Sequence, residues 1–344
     1  MKRLRFFTFS CTLLFIFAAC TEKAERDIPA PKPPEEEPAV GPETPGEPET
    51  PAYPVDVRDA FEKAGLVSTV KSCDHYSPHS GVDVTEIRYT DYAAKPQAVF
   101  VMQVDLSDPT VSMTNTVPGG ATTSFSAGRE RLTAQCKRID TADHWVVGAV
   151  NTDFFNTSTG SKSGEAQSAF WHNGICLKNT FTSDSRPRCF VYWGDDETVR
   201  LGKSSEYSEV KAHANFKELF SGGQYLVEKG KATAFVQDAV YGVHPRTMFG
   251  VCSDPRKVVM VVLDGRNEVL AVGMNYPDMQ KILLALECQT ALNIDGGGSS
   301  TFVVRKISST VTGYGDKAPL YVRNMPSDGS ERAIGPGLAI VAND

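Results

Sequence analysis

Val258-Val259-Met260-Val261-Val262-Leu263 runs into Asp264-Gly265-Arg266, and after a helical stretch Ala291-Leu292-Asn293-Ile294 runs into Asp295-Gly296-Gly297-Gly298-Ser299-Ser300. Both apolar runs are short and closed by polar turn residues, the pattern of fully buried strands. Between them Pro277 stands where a first helical turn accepts it, and Met279, Ile282, Leu283 and Leu286 recur at i, i+3, i+4 and i+7. Strand, helix and strand in that order predict a βαβ-like unit. If its strands are parallel neighbours, Asp264 and Asp295 leave one edge of the sheet together. Gly296, Gly297 and Gly298 let the backbone approach a ligand and turn N–H groups toward an anion, and Ser299 and Ser300 add hydroxyls. The plain alternative is a tight turn capped by an aspartate.

Outward from this unit, Val99 to Leu106 and Trp145 to Val150 read as further strands, joined by Ser300 to Arg305 and Gly337 to Val341. Helices are expected around Phe61 and Leu132 as well as Leu283. The fold class is therefore α+β: a single domain over residues 55–344, built on a mixed β-sheet with flanking helices. That span holds no second linker, no internal repeat and no apolar run of membrane-spanning length.

The start of the chain has a different character. Lys2, Arg3 and Arg5 precede an apolar run from Phe6 to Ala19 that is too short to span a bilayer, and Phe17-Ala18-Ala19-Cys20 is similar to a bacterial lipobox. Residues 1–19 are expected to be a lipoprotein signal peptide, with Cys20 lipidated. From Thr21 to Pro54 come ten prolines and nine acidic residues against three basic ones, so residues 20–54 read as a disordered tether. The expected location is the envelope of a Gram-negative-type cell, on the periplasmic or outer face of the outer membrane, with the lipid as the membrane contact.

The formal charge of −7 and the lack of a basic stripe argue against nucleic acid as a partner. Six cysteines follow Cys20; Cys176 and Cys189 close the shortest plausible loop and are the first candidates for a disulfide in an exported chain. None forms C-x-x-C, and H-E-x-x-H and both nucleotide-binding glycine patterns are absent, so no cofactor is expected. A divalent metal at the aspartates stays open, as does the oligomeric state.

Asn293-Ile294-Asp295-Gly296-Gly297-Gly298-Ser299-Ser300-Thr301-Phe302, behind the Met279 to Leu286 helix, strongly resembles the phosphodiester glycosidase family. The resemblance continues through Asn151-Thr152-Asp153-Phe154-Phe155, Pro245-Arg246-Thr247-Met248-Phe249-Gly250, Leu263-Asp264-Gly265-Arg266, Arg323-Asn324 and Glu331-Arg332-Ala333-Ile334, in the family's order. Thr152 and Asp153 stand where family members often carry glycines, and Met248 and Phe249 are bulkier than expected, so no particular sugar is carried over.

The resemblance implies hydrolysis of a sugar 1-phosphodiester at the sugar C1–O bond. Asp295, Asp264 and Asp153 are the candidate catalytic carboxylates. Arg246, Arg266, Arg323 and Arg332 are candidates to hold a phosphate. Asn151 and Asn324 are candidates for sugar hydroxyls, with Thr247 and the Gly296, Gly297, Gly298, Ser299, Ser300 run completing the substrate-binding set. For Arg323 and Arg332 the alternative is a salt bridge at the sheet edge and for Asp264 a turn cap, while Phe154 and Phe155 read as core, with a sugar platform as their alternative. His244 beside Arg246 could serve as a general acid. A glycan-binding lipoprotein without catalysis is the second functional reading; a hydrolase using Ser299 as nucleophile, without a G-x-S-x-G elbow, is the weakest.

Overall fold

The computed structural model describes residues 53–182, 188–237, 241–305 and 319–343. The expected signal peptide, Cys20 and nearly all of the expected tether fall outside the described residues. In chain order the elements are α1 (Val57–Lys63), β1 (Thr69–His79), β2 (Val82–Thr90), β3 (Pro96–Asp105), β4 (Val111–Thr116), β5 (Glu130–Arg131), α2 (Leu132–Ile139), β6 (Trp145–Asn151), β7 (Phe170–His172), β8 (Ile175–Lys178), β9 (Cys189–Trp193), β10 (Arg200–Lys203), α3 (Tyr207–His213), β11 (Glu218–Gly222), β12 (Tyr225–Glu228), β13 (Lys231–Ala232), β14 (Arg246–Val251), β15 (Lys257–Leu263), α4 (Tyr276–Ala285), β16 (Thr290–Asn293), β17 (Phe302–Arg305), β18 (Leu320–Val322), β19 (Ala333–Ile334) and β20 (Gly337–Ala342).

The strands fall into an eight-stranded sheet, β1-β2-β3-β15-β14-β16-β12-β13, two five-stranded sheets, β18-β17-β6-β20-β4 and β10-β9-β11-β7-β8, and the short pair β19-β5. The α+β class stands, but the strands expected to share one sheet divide between two: β3, β15 and β16 lie in the first, and β6, β17 and β20 in the second. Every ladder among the described residues is antiparallel, not mixed.

β15 is continuously apolar because both of its faces are covered. Val258, Met260 and Val262 pack in the core shared with Trp145, Phe302 and Leu338 of the second sheet. Val259, Val261 and Leu263 pack with Phe61 of α1 and Met279, Ile282 and Leu283 of α4. The α4 stripe read from the sequence, Leu286 included, is fully buried. Asn275 caps that helix by accepting from the amide of Asp278 at 3.2 Å, and Pro277 occupies its first turn. α2 covers the far side of the second sheet and α3 that of the third, giving a helix, sheet, sheet, helix layering. Tyr53 is already part of the domain, its hydroxyl donating to the carbonyls of Val104 and Val258.

β15 and β16 run parallel and are linked through α4, but they are not neighbours. β14 lies between them, antiparallel to both, with Leu263 opposite Arg246 and Asn293 opposite Met248. Both strands still end on the same edge of the sheet, one on each side of the start of β14.

The Cys176–Cys189 disulfide is overturned, since both thiols are free. Cys176 lies on β8 and Cys189 on β9, and β11 and β7 stand between those strands. At the usual spacing that is roughly 14 Å, about twice what a disulfide spans.

Candidate active site

The loop after β16 carries the chain from the first sheet to the second, and its hydrogen bonds show the change of partner. The amide of Ile294 still donates to Thr247 on β14, whereas that of Asp295 donates to Thr152 beyond β6, at 2.8 Å. The chain then turns through Gly297, at φ +64°, and enters β17, which pairs with β6. The amide of Gly296 donates to the Asp295 carboxylate, that of Gly297 to Pro245 O, and those of Ser299 and Ser300 to Gly296 O and Gly297 O. These amides are consumed in holding the turn and do not form the anion-binding row expected of them.

Asn151 and Asn324 clamp this crossover. The Asn151 amide donates to Asp295 O at 2.6 Å, while its oxygen accepts from Thr247 Oγ1 and the Thr301 amide. Asn324 donates to the Asp264 carboxylate and to Ser300 O, both at 3.0 Å, and accepts from the Phe302 amide. Buried side chains with these partners fix the backbone, so the sugar-hydroxyl role expected of both asparagines is replaced by a structural one. Thr247, buried between Asn151 and Ser300, belongs to the same clamp.

A cavity of about 300 Å³ opens beside this crossover, lined by Phe154, His244, Arg246, Arg266, Asn293, Ile294, Asp295, Gly296 and Gly297. That volume is at the low end for ligand clefts, about 300–1,000 Å³. Burial raises the Asp295 carboxyl to about 6, against the lowering effects of Ser299, the Gly296 amide and the charges of Arg332 and Arg188. Arg246 is anchored by donating from Nε to Met274 O at 3.0 Å and from Nη2 to Gly242 O, and its guanidinium lies over the Tyr276 ring. Arg266, exposed at the mouth, donates to Ser327 Oγ at 3.4 Å. His244 also lines the cavity, and burial followed by the Arg246 and Arg266 charges pushes its pKa down.

The other expected residues are not part of this lining. Asp264 accepts from Asn324 and from the amide of Met325, and burial lifts its carboxyl to about 6. Asp153 is buried, its Oδ1 accepting from the Ser221 amide at 3.0 Å, and burial raises its pKa well above the ordinary value of 3.8. Arg323 forms a forked pair with buried Glu86 at 2.6 and 3.0 Å, so the salt-bridge alternative describes it and the phosphate role does not. Arg332 pairs with Asp328 at 2.7 Å while Nη1 reaches Ser299 Oγ at 3.4 Å. Ser299 thus stands between Arg332 and Asp295. Ser300 Oγ faces Thr247.

One residue, Arg188, escaped the sequence reading, and another, Phe154, is not in the core expected of it. Phe155 is core as expected, but its neighbour Phe154 is half-buried and lines the cavity. Arg188 lies 4.8 Å above the Phe154 ring, donates to Gln167 Oε1, and its charge lowers the pKa of both Asp153 and Asp295. No motif marks Arg188; only folding brings it there. Among the described residues no three His, Cys, Asp or Glu side chains gather to hold a metal ion.

The sequence matches the profile of the family described as phosphodiester glycosidase over residues 144–341, more than half of the chain. No curated protein sequence matches it. Among solved structures it is similar to the zebrafish N-acetylglucosamine-1-phosphodiester alpha-N-acetylglucosaminidase catalytic domain auto-inhibited by its pro-peptide. The TM-score is 0.57 at 20% identity, over 78% of this chain and 87% of that one. A putative exported protein from Burkholderia pseudomallei matches with TM-score 0.57 at 12% identity, over 80% of this chain and 97% of that one. A hypothetical protein from Synechocystis matches with TM-score 0.54 at 11% identity, over 79% of this chain and 64% of that one. Profile and fold agree with the motifs on either side of the crossover, and the chain belongs to the phosphodiester glycosidase family.

Proposed function

We propose that this chain is an exported, lipid-anchored glycoside hydrolase. It cleaves the C1–O bond of a sugar 1-phosphodiester and releases free sugar and a phosphomonoester. The observation that carries this reading is the lining of one cavity by Asp295, Arg246 and Arg266 together. A carboxylate suits the oxocarbenium-like charge that develops at an anomeric carbon. Guanidinium groups fixed in advance suit the negative charge that grows on a departing phosphate.

In this scheme Asp295 works in its ionised form at C1, while Arg246 and Arg266 hold the phosphodiester. A phosphate leaves more readily than a sugar alcohol, so electrostatic stabilisation by arginine takes over part of the usual general acid's work. His244, whose pKa burial and these arginines push down, can donate a hydrogen bond to a phosphate oxygen. The bulky Met248 and Phe249 are buried in the core, so they do not set sugar choice directly.

Hydrolysis in ¹⁸O-labelled water tests the bond cleaved: the label is expected on sugar C1, and label on phosphorus overturns the reading. One observation favours the second reading, a glycan-binding lipoprotein: Asp295 is the one carboxylate among the lining residues. Sugar binding without turnover of any sugar 1-phosphodiester would support it. Lipid anchoring rests on the Phe17-Ala18-Ala19-Cys20 segment, and Cys20→Ala should release the protein from membranes or leave it unprocessed.

A further inference from the structure

Loop tips are ordinarily polar, yet the hairpin that carries Arg266 ends in Val269, 81% exposed, and Leu270, 49% exposed. The hairpin is held stiffly. Asn267 and Ala271 exchange backbone hydrogen bonds at 3.0 and 2.9 Å, and Asn267 Oδ1 accepts from the amides of both Val269 and Leu270 at 3.0 Å. At its base the Val272 amide donates to Pro96 O at 3.0 Å. Gly273 lies so close to His244 that a Cβ there would meet the His244 carbonyl at 2.5 Å.

Two neighbouring loops repeat the pattern. Val243, 49% exposed, precedes His244 of the cavity, and Met325, 46% exposed, follows Asn324 of the clamp. Arg266 ties the hairpin to the Met325 loop through Ser327, and His244 ties the Val243 loop to Met274 by paired backbone bonds. Scattered apolar side chains on a surface need no explanation. Here they occupy the tips of cross-tied loops whose bases supply the cavity's arginines and histidine.

We infer that the phosphodiester this site takes carries an apolar aglycone, a hydrocarbon chain that lies along Val243, Val269, Leu270 and Met325 while its phosphate sits at Arg246 and Arg266. This rests on the proposed function and names its leaving group: an amphiphile with a sugar phosphate head. The cavity of about 300 Å³ would take the polar head, and the exposed apolar side chains are carried on loops that also supply Arg246, Arg266 and His244. Rigid tips contact such a chain without first being ordered, which keeps the entropic cost of binding low.

Hexyl phosphate and methyl phosphate, stand-ins for the product phosphomonoester, test this by calorimetry on the purified full chain, with no need to know the sugar. Hexyl phosphate should bind at least about tenfold tighter. The double variant Val269→Asn, Leu270→Asn, with circular dichroism confirming its fold, should lose that advantage and keep the affinity for methyl phosphate. Equal affinities in the wild type, or a hexyl advantage that survives the double variant, would overturn the inference. A hairpin needed for binding phosphatidylglycerol vesicles but not for the hexyl preference would make it a membrane contact and overturn it too. Hexyl preference without cleavage of any sugar phosphodiester would sink the proposed catalysis and leave the apolar subsite standing.

Discussion

The side-chain amide of Asn151 donates to the backbone carbonyl of Asp295 at 2.6 Å, linking the end of β6 in one sheet to the loop that leaves β16 in the other. Asn151→Ala would take their partner from the Thr301 amide and the Asp295 carbonyl, and leave the Thr247 hydroxyl only Ser300. A loss of about 1–3 kcal/mol is expected from such orphaned groups, measured by urea unfolding. Activity should fall with it, and a variant as stable and active as wild type would show that the clamp does not position Asp295.

Asp295→Asn should lower kcat by about 10² or more with the fold intact, as for a group acting in the transition state. The wild-type pH profile offers a second reading of the same residue. Its carboxyl, raised by burial to about 6, must be ionised to work at C1, so activity should rise with pH through about 6. An acid limb near pH 4 would mean that the working group is a carboxylate left in water.

Asp153 bears on stability with the opposite sign from a salt-bridged aspartate. Its folded pKa lies above the ordinary value of 3.8, so the folded state holds a proton that the unfolded chain releases. That contribution is complete below about pH 4 and is lost as pH rises through the folded pKa. Asp264 and Asp295 act alike between about pH 4 and 6. Asn mimics a neutral carboxyl and can still accept from Ser221, so Asp153→Asn should flatten the decline and leave Tm at pH 7 unchanged or higher. A large drop in Tm at pH 7 would mean the carboxylate is charged and paired.

Arg323 and Arg332, similar on paper, should separate on substitution. Arg323→Ala leaves the buried Glu86 carboxylate with the Tyr76 hydroxyl but without its counter-charge, and a loss of about 1.5–3 kcal/mol is expected with KM unchanged. Arg332→Ala breaks a half-exposed pair worth at most about 1 kcal/mol, but it removes a positive charge that reaches Ser299 and favours the ionised Asp295, and should lower kcat/KM by about 10². The reverse outcome would exchange the two assignments.

Gly298 tests the same corner without touching a charge. A Cβ there would meet Arg332 Nη2 at 2.0 Å and Asp328 Oδ1 at 2.4 Å, the far ends of two flexible side chains. Gly298→Ala should therefore cost little stability, because both can swing outward, while reproducing the activity loss of Arg332→Ala. Full activity would show that the position of Arg332 is irrelevant to turnover.

The sequence by itself determined the strands β15 and β16, the α4 stripe and the polar turns at Asp264 and Asp295, because each is written in local periodicity and turn chemistry. It also identified the family, since short motifs in a fixed order are a property of the chain and need no contacts. Only the tertiary structure decided which residues face a ligand. Pairing β14 between β15 and β16 is a long-range choice with no local signal, and it brings Arg246 between the two aspartates. Asn151, Asn324 and Arg323 carry the chemistry of ligand-binding groups, yet buried partners from distant segments claim their hydrogen bonds. Arg188 reaches the site for the converse reason: no motif names it, and only folding sets its guanidinium over the Phe154 ring beside the cavity. A side chain's chemistry is local, but whether it is spent on the protein or left for a ligand depends on which other segments arrive beside it.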